Sequence, residues 1–127
     1  MSPKSTIKVH LIFVTKYRKK VLTDAILSEI YHLIDDKMKK MRCEVIAMRG
    51  NDMNHIHIMA QIQPTQSISL IVQILKSITT YHVWREHPEL RKYYWGANYL
   101  WSRGYFCCTT GDASSETIEK YINNQGD

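Results

Sequence analysis

A chain of 127 residues with 17 Lys/Arg, 12 Asp/Glu and 3 cysteines is long enough to bury about two-thirds of its unfolded surface around one core, without covalent staples. An odd cysteine count with Cys107 and Cys108 adjacent rules out a disulfide framework and points to reduced thiols in the cytoplasm. No stretch approaches the ~18 apolar residues of a membrane span, and MSPKSTIKVHLIFVTKYRKK has no apolar signal core, so the reading is neither membrane-spanning nor secreted.

In chain order, IKVHLIFVT (7–15) is rich in β-branched and aromatic residues and predicts a strand. The basic cluster KYRKK (16–20) follows. Thr23-Asp24 is a helix cap, after which Ile26, Leu27, Ile30, Leu33, Ile34 and Met38 recur at helical spacing. A second basic cluster, KMKKMR (37–42), closes that helix. CEVIAMR (43–49) predicts a strand, Gly50-Asn51-Asp52 a turn, and residues 55–62 a third strand. Pro64 ends it. Ile68, Ile71, Val72, Leu75 and Ile78 mark a second amphipathic helix that must stop before Pro88. LRKYYWGANYL (90–100) fits no single element. WSRGYFCCTT (101–110) predicts a fourth strand, Gly111-Asp112-Ala113 a hinge, Ser114 or Ser115 a cap, and SETIEKYINNQ a final helix.

The order β-α-β-β-α-β is that of an α+β, ferredoxin-like antiparallel sheet with two helices on one face, followed here by an additional C-terminal helix. One domain spans 1–127, with the core in 1–110 and the hinge and last helix in 111–127. The charge is uneven. Residues 1–60 hold 11 Lys/Arg against 6 Asp/Glu, and residues 61–127 hold 6 against 6. A polyanion such as nucleic acid is the natural partner of such a basic half.

The third strand, HIHIMAQI, alternates. Ile56, Ile58, Ala60 and Ile62 share one face and pack under the helices, while His55, His57, Met59 and Gln61 project from the other. In EKYINNQ, Tyr121 and Gln125 stand at i and i+4, one turn apart on one helix face. Docked on the open sheet face, that helix brings a phenol and a carboxamide oxygen to the histidine pair. Two imidazoles and an amide oxygen can hold a divalent metal and still leave positions for water and substrate.

Taken together, VHLIFVTKYRKKVLT, HIH, LWSRGYFCCTTG and ETIEKYINNQ resemble, in order and nearly end to end, the single-tyrosine HUH transposases. These are the compact peel-and-paste enzymes of small insertion sequences. The resemblance implies His55, His57 and Gln125 as ligands of Mg²⁺ or Mn²⁺, and Tyr121 as nucleophile. It implies a homodimer in which the final helix can serve the partner's histidines, and single-stranded DNA with terminal hairpins as substrate. Tyr121 would attack a phosphodiester to give a 5′-phosphotyrosine and a free 3′-OH, with no need of ATP. Lys16, Arg18, Lys19 and Lys20 are candidates for phosphate contacts, with Lys37, Lys39 and Lys40 behind them. Asn54 stands where relatives usually carry Asp, and it can still accept a hydrogen bond from a ring N–H.

Two other readings share parts of this pattern. A domesticated HUH endonuclease could keep every catalytic residue, and flanking hairpins around the gene would separate it from a mobile element. A non-catalytic RNA-recognition module has the same element order, but Phe106 occupies a position where its strand motif needs Gly or Ala, and paired histidines have no use there. His10 reads as a packing or hydrogen-bonding residue that could neighbour the site. His32, His82 and His87 read as surface, and Trp95 and Trp101 as core or dimer contacts.

Overall fold

The computed structural model describes residues 6–94, 98–109 and 115–124. Its elements are β1 (Ile7–Val14), α1 (Asp24–Lys40), β2 (Glu44–Asn51), β3 (His55–Ile62), α2 (Ile68–Glu86), β4 (Phe106–Cys108) and α3 (Ser115–Asn124), with short 3-10 segments at Lys16–Arg18 and Pro88–Tyr94. The sheet order is β2-β3-β1-β4, and every neighbouring pair is antiparallel. That is the ferredoxin-like arrangement the element order predicts.

Alternation along β1 and β3 decides which face is core. Val9, Leu11 and Phe13 join Ile56, Ile58, Ala60 and Ile62 in one apolar cluster with Ile26, Ile30, Ile34 and Met38 of α1 and Ile71, Val72, Leu75 and Val83 of α2. Burying such side chains contributes about 1.5–3 kcal/mol each before entropy is counted. α1 begins where its cap predicts, and α2 is capped in the same way. The Thr23 hydroxyl accepts from Ile26 N–H at 3.3 Å and the Ser67 hydroxyl from Leu70 N–H at 3.2 Å.

The structure departs from the sequence reading in three places. β2 runs on through Asn51, and the turn falls at Asp52–Asn54, where Asp52 (φ 54°) and Met53 (φ 59°) take the left-handed conformation. The Asn51 carboxamide accepts from Asp52 N–H at 3.0 Å and fixes that turn. The fourth strand is also far shorter than 101–110. Trp101 makes one isolated bridge to Thr15, and Gly104 turns the chain at φ 73°. Lys76 of α2 donates to the carbonyls of Ser102 and Gly104, acceptors that a longer strand would offer its neighbour. Lastly, His82 and His87 are half-buried and partnered. Their Nε2 atoms lie 2.6 Å and 3.0 Å from the Glu29 carboxylate, clasping α2 and the segment after it to α1.

Trp101 belongs to the core, with its ring edge-on to Phe13 and its N–H donating to the Thr79 hydroxyl at 2.9 Å. Trp95, the hinge Gly111-Asp112-Ala113 and Ser114 lie outside the described residues. Among the described residues, no helix is long and apolar enough to cross a membrane.

Candidate active site on the open sheet face

Cross-strand partners share a face of the sheet. His57 is opposite Ile12 of β1 and Arg49 of β2, and His55 is opposite Val14 and Asn51. None of these belongs to the apolar cluster under the helices. The histidine pair therefore stands on the face away from α1 and α2, as the alternation predicts. His10, one diagonal step along β1, reaches the same spot. Its Nδ1 is 3.1 Å from Nε2 of His57.

The face is covered in part by α3. Glu119, Ile122 and Asn123 line a cavity of about 470 Å³ together with Arg49, Asn51, Asp52, His55 and His57. His55 is 7% exposed and His10 8%. Burial pushes the pKa of His55 down, with the Asp52 carboxylate opposing it. Burial also lowers His57, and His10, His55 and Arg49 push the same way. Both imidazoles are thus held neutral at pH 7, the form in which a ring nitrogen can bind a metal or accept a proton.

The tautomer of His55 follows from its neighbour. Asn54 Oδ1 lies 2.8 Å from His55 Nδ1, and a carboxamide oxygen can only accept, so Nδ1 carries the proton and Nε2 keeps its lone pair. For His57, Nε2 is engaged by His10. Either the ring offers Nδ1 to a cation or the His10 bond gives way. Among the described residues, no three His, Cys, Asp or Glu side chains gather to hold a metal ion. A metal at this imidazole pair would need a ligand of another kind, and a neutral carboxamide would fit that need. Gln125, the residue expected to supply it, lies outside the described residues.

Tyr121 is carried by the same helix but does not line the cavity. Its ring is tilted against Phe106, with centroids 5.6 Å apart. Phe106 pairs with Ile12, which pairs with His57, so the strand on which the phenol packs is two strand spacings, roughly 10 Å, from the strand that carries the histidines. The structure brings α3 and the histidine pair together and places the tyrosine beside their cavity, over β4.

The basic turn at 16–20 does not present one patch. Lys16 lines a cavity of about 660 Å³ with Tyr81, Trp84, Tyr99 and Arg103. Lys19 and Lys20 line another, of about 630 Å³, with Thr23 and Tyr93. Arg18 points elsewhere again, donating from Nη1 to the Asn123 carbonyl at 2.7 Å. Two contributors to the site were beyond sequence reasoning, Arg49 and the Arg18–Asn123 contact. Arg49 could have been found by aligning β2 against β3, but the hairpin register was not fixed by the sequence.

Comparison with known proteins places this architecture among transposases. A family model described as "Transposase IS200 like" matches residues 3–125. The ISDra2 transposase TnpA of Deinococcus radiodurans is 30% identical over 121 residues, covering 95% of this chain and 85% of that one. The transposase for insertion sequence element IS200 of Salmonella typhimurium is 27% identical over 122 residues, covering 93% and 76%. The crystal structure of a Deinococcus radiodurans R1 protein superposes with a TM-score of 0.86 at 25% identity over 99% of this chain and 95% of that one. A REP-associated tyrosine transposase, solved bound to a REP hairpin, shares the fold at a TM-score of 0.56 and 12% identity, covering 97% and 66%.

Proposed function

This chain belongs to the IS200-like transposase family, its match running through residues 3–125, and from that premise we propose that it cleaves and rejoins single-stranded DNA at element ends through a covalent bond to Tyr121. The observation that carries the reading is the shared cavity. Residues of the tyrosine-bearing helix, Glu119, Ile122 and Asn123, enclose the same space as His55 and His57. A phosphodiester entering there meets two neutral imidazoles, the Arg49 guanidinium and the helix that carries the nucleophile.

The Tyr121 oxygen attacks phosphorus, the P–O3′ bond breaks, and the departing 3′ oxygen takes up a proton. The product is a 5′-phosphotyrosine, and attack by a second 3′-OH reverses the step on a new end. The phosphodiester energy is kept in the covalent link, so no ATP is required. A free phenol has a pKa near 10, so ionising it at pH 7 costs about 4 kcal/mol. Mg²⁺ or Mn²⁺ held by His55, His57 and Gln125 would supply positive charge at the scissile phosphate. Asn54 orients His55 for that role, and burial keeps both rings unprotonated.

Terminal hairpins are the proposed form of the DNA, a reading supported by the hairpin bound to the structural neighbour. A homodimer is part of the same proposal. β4 ends the sheet, and nearby Tyr81 and Tyr99 are each 68% exposed, offering apolar area for a second copy.

The test is a gel assay for a covalent protein–oligonucleotide adduct with a cognate element end. Wild type forms it; Tyr121→Phe does not, while hairpin affinity stays within about twofold. His57→Ala, or wild type in excess EDTA, loses the adduct as well. An adduct formed by the Phe variant would place the nucleophile elsewhere.

A further inference from the structure

Arg18 extends from a turn whose backbone is left-handed at two successive residues, Tyr17 at φ 59° and Arg18 at φ 50°. The turn is fixed from several sides. Lys16 N–H donates to the Leu100 carbonyl at 2.8 Å and Arg18 N–H to the Thr15 carbonyl at 2.9 Å. The buried Thr15 hydroxyl donates to the Lys19 carbonyl at 2.8 Å. Thr15 N–H also donates to the carbonyl of Asn54 at 2.9 Å, and Asn54 is the residue that holds His55. Arg18 therefore leaves a frame built on the same strands as the histidine pair.

From that frame its guanidinium reaches the last turn of α3, donating to the Asn123 carbonyl at 2.7 Å. Carbonyls in the last turn of a helix have no partner inside it, and the negative end of the helix dipole favours a cation there. Tyr121 lies in the same turn, two residues earlier.

We propose that Arg18 is a positioning residue for Tyr121. It pins the C-terminal turn of α3 to the frame that carries His55, and so fixes where the phenol stands beside the cavity. The inference rests on Tyr121 being the nucleophile. A hydrogen bond from the frame to the last turn of α3 limits how far that turn can shift against the sheet. Phosphoryl transfer is sensitive to such placement, with a displacement of about 1 Å costing on the order of 100-fold in rate. A carbonyl needs one donor, whereas a phosphate clamp uses the planar guanidinium fork. Lysine can therefore replace arginine as a pin but not as a clamp.

Two measurements on wild type, Arg18→Ala and Arg18→Lys test this. One is hydrogen exchange of residues 115–124 in the protein without DNA. The other is the single-turnover rate of adduct formation at saturating cognate strand. The Ala variant should exchange faster through α3 and form adduct about 10- to 100-fold more slowly, and Lys should restore both. Unchanged exchange in the Ala variant, a defect confined to DNA affinity, or a Lys variant as impaired as Ala would each overturn the proposal. Exchange is read without DNA, so it can fail while Tyr121 remains the nucleophile. Conversely, Tyr121→Phe would keep its exchange pattern while losing the adduct.

Discussion

Nδ1 of His10 and Nε2 of His57 lie 3.1 Å apart, so imidazoles from adjacent strands share a hydrogen bond beside the cavity that His57 lines. One ring must donate and the other accept. A divalent ion bound through Nε2 of His57 takes the lone pair that this bond uses, and the two arrangements exclude each other when His57 is the acceptor. A hydrogen bond of this kind contributes about 1 kcal/mol net, a factor of roughly five in an equilibrium constant. His10→Ala should therefore bind Mn²⁺ several-fold more tightly than wild type by calorimetry at pH 7.5. Weaker binding would show His10 assisting the metal instead of competing with it.

The same histidines make the fold acid-sensitive. Burial holds the pKa values of His55 and His57 in the folded chain below the ordinary 6.5. Between those lowered values and 6.5 the unfolded chain binds more protons than the folded one, so stability rises with pH in that window. It is complete above about 6.5 and is lost as pH falls from there toward the lowered values. The Glu29 carboxylate, lowered from 4.5 by its bonds to His82 and His87, loses its contribution only at still lower pH. Urea midpoints at pH 7.5 and 5.0 separate the two effects. Wild type should fall more between these pH values than the double variant His55→Gln/His57→Gln. Equal falls would mean the pair does not carry the titration.

How far the sequence could be read is clear from individual residues. The alternation of Ile56, Ile58, Ala60 and Ile62 predicted the buried face of β3 without error, because a period of two leaves no other way to bury all four. Thr23 announced its helix because a hydroxyl cap works through bonds three residues away, whereas Ser67, which caps α2 in the same way, was not singled out. The extent of β4 was illegible. It depends on Lys76, near the middle of α2 and far in sequence from Ser102 and Gly104, claiming the carbonyls a strand would use. The Glu29 clasp was hidden for the same reason, since α1 and α2 meet only in the folded chain. At the site, the sequence placed His55 and His57 on the open face. It could not show that Tyr121 packs on Phe106 or that Arg18 reaches Asn123, because both contacts depend on how α3 is laid across the sheet.

Gly50 tests the tight seat of β2 beneath the site. A Cβ there would come within 2.5 Å of Leu27 Cδ1, 2.8 Å of Cδ2 and 3.2 Å of Cγ. Leu27 is 8% exposed and has little room to turn away. Gly50→Ala should therefore cost about 1–3 kcal/mol by overpacking. Thermal unfolding should show a drop of several degrees, while adduct formation at 20 °C stays near wild type. An unchanged midpoint would mean that α1 and β2 separate more easily than their packing implies.

The last prediction distinguishes two kinds of lysine. Lys39 and Lys40 pair with Asp35 and Asp36 one turn back along α1, at 3.0 Å and 3.1 Å, so much of their charge is balanced before DNA arrives. Lys20 lines a cavity whose rim includes the exposed Tyr93, a combination suited to a phosphate with an adjoining base. Each phosphate neutralised contributes a slope of about −0.9 in log K against log salt on duplex DNA, and about −0.7 on single strands. Lys20→Ala should make the slope for a cognate hairpin shallower by nearly one such increment and weaken binding at every salt concentration. Lys39→Ala should leave the slope within error of wild type, because the lysine it removes was already paired. Equal effects from the two substitutions would mean that DNA is held by net charge alone, and a flat salt dependence in wild type would remove the basic turn from the interface.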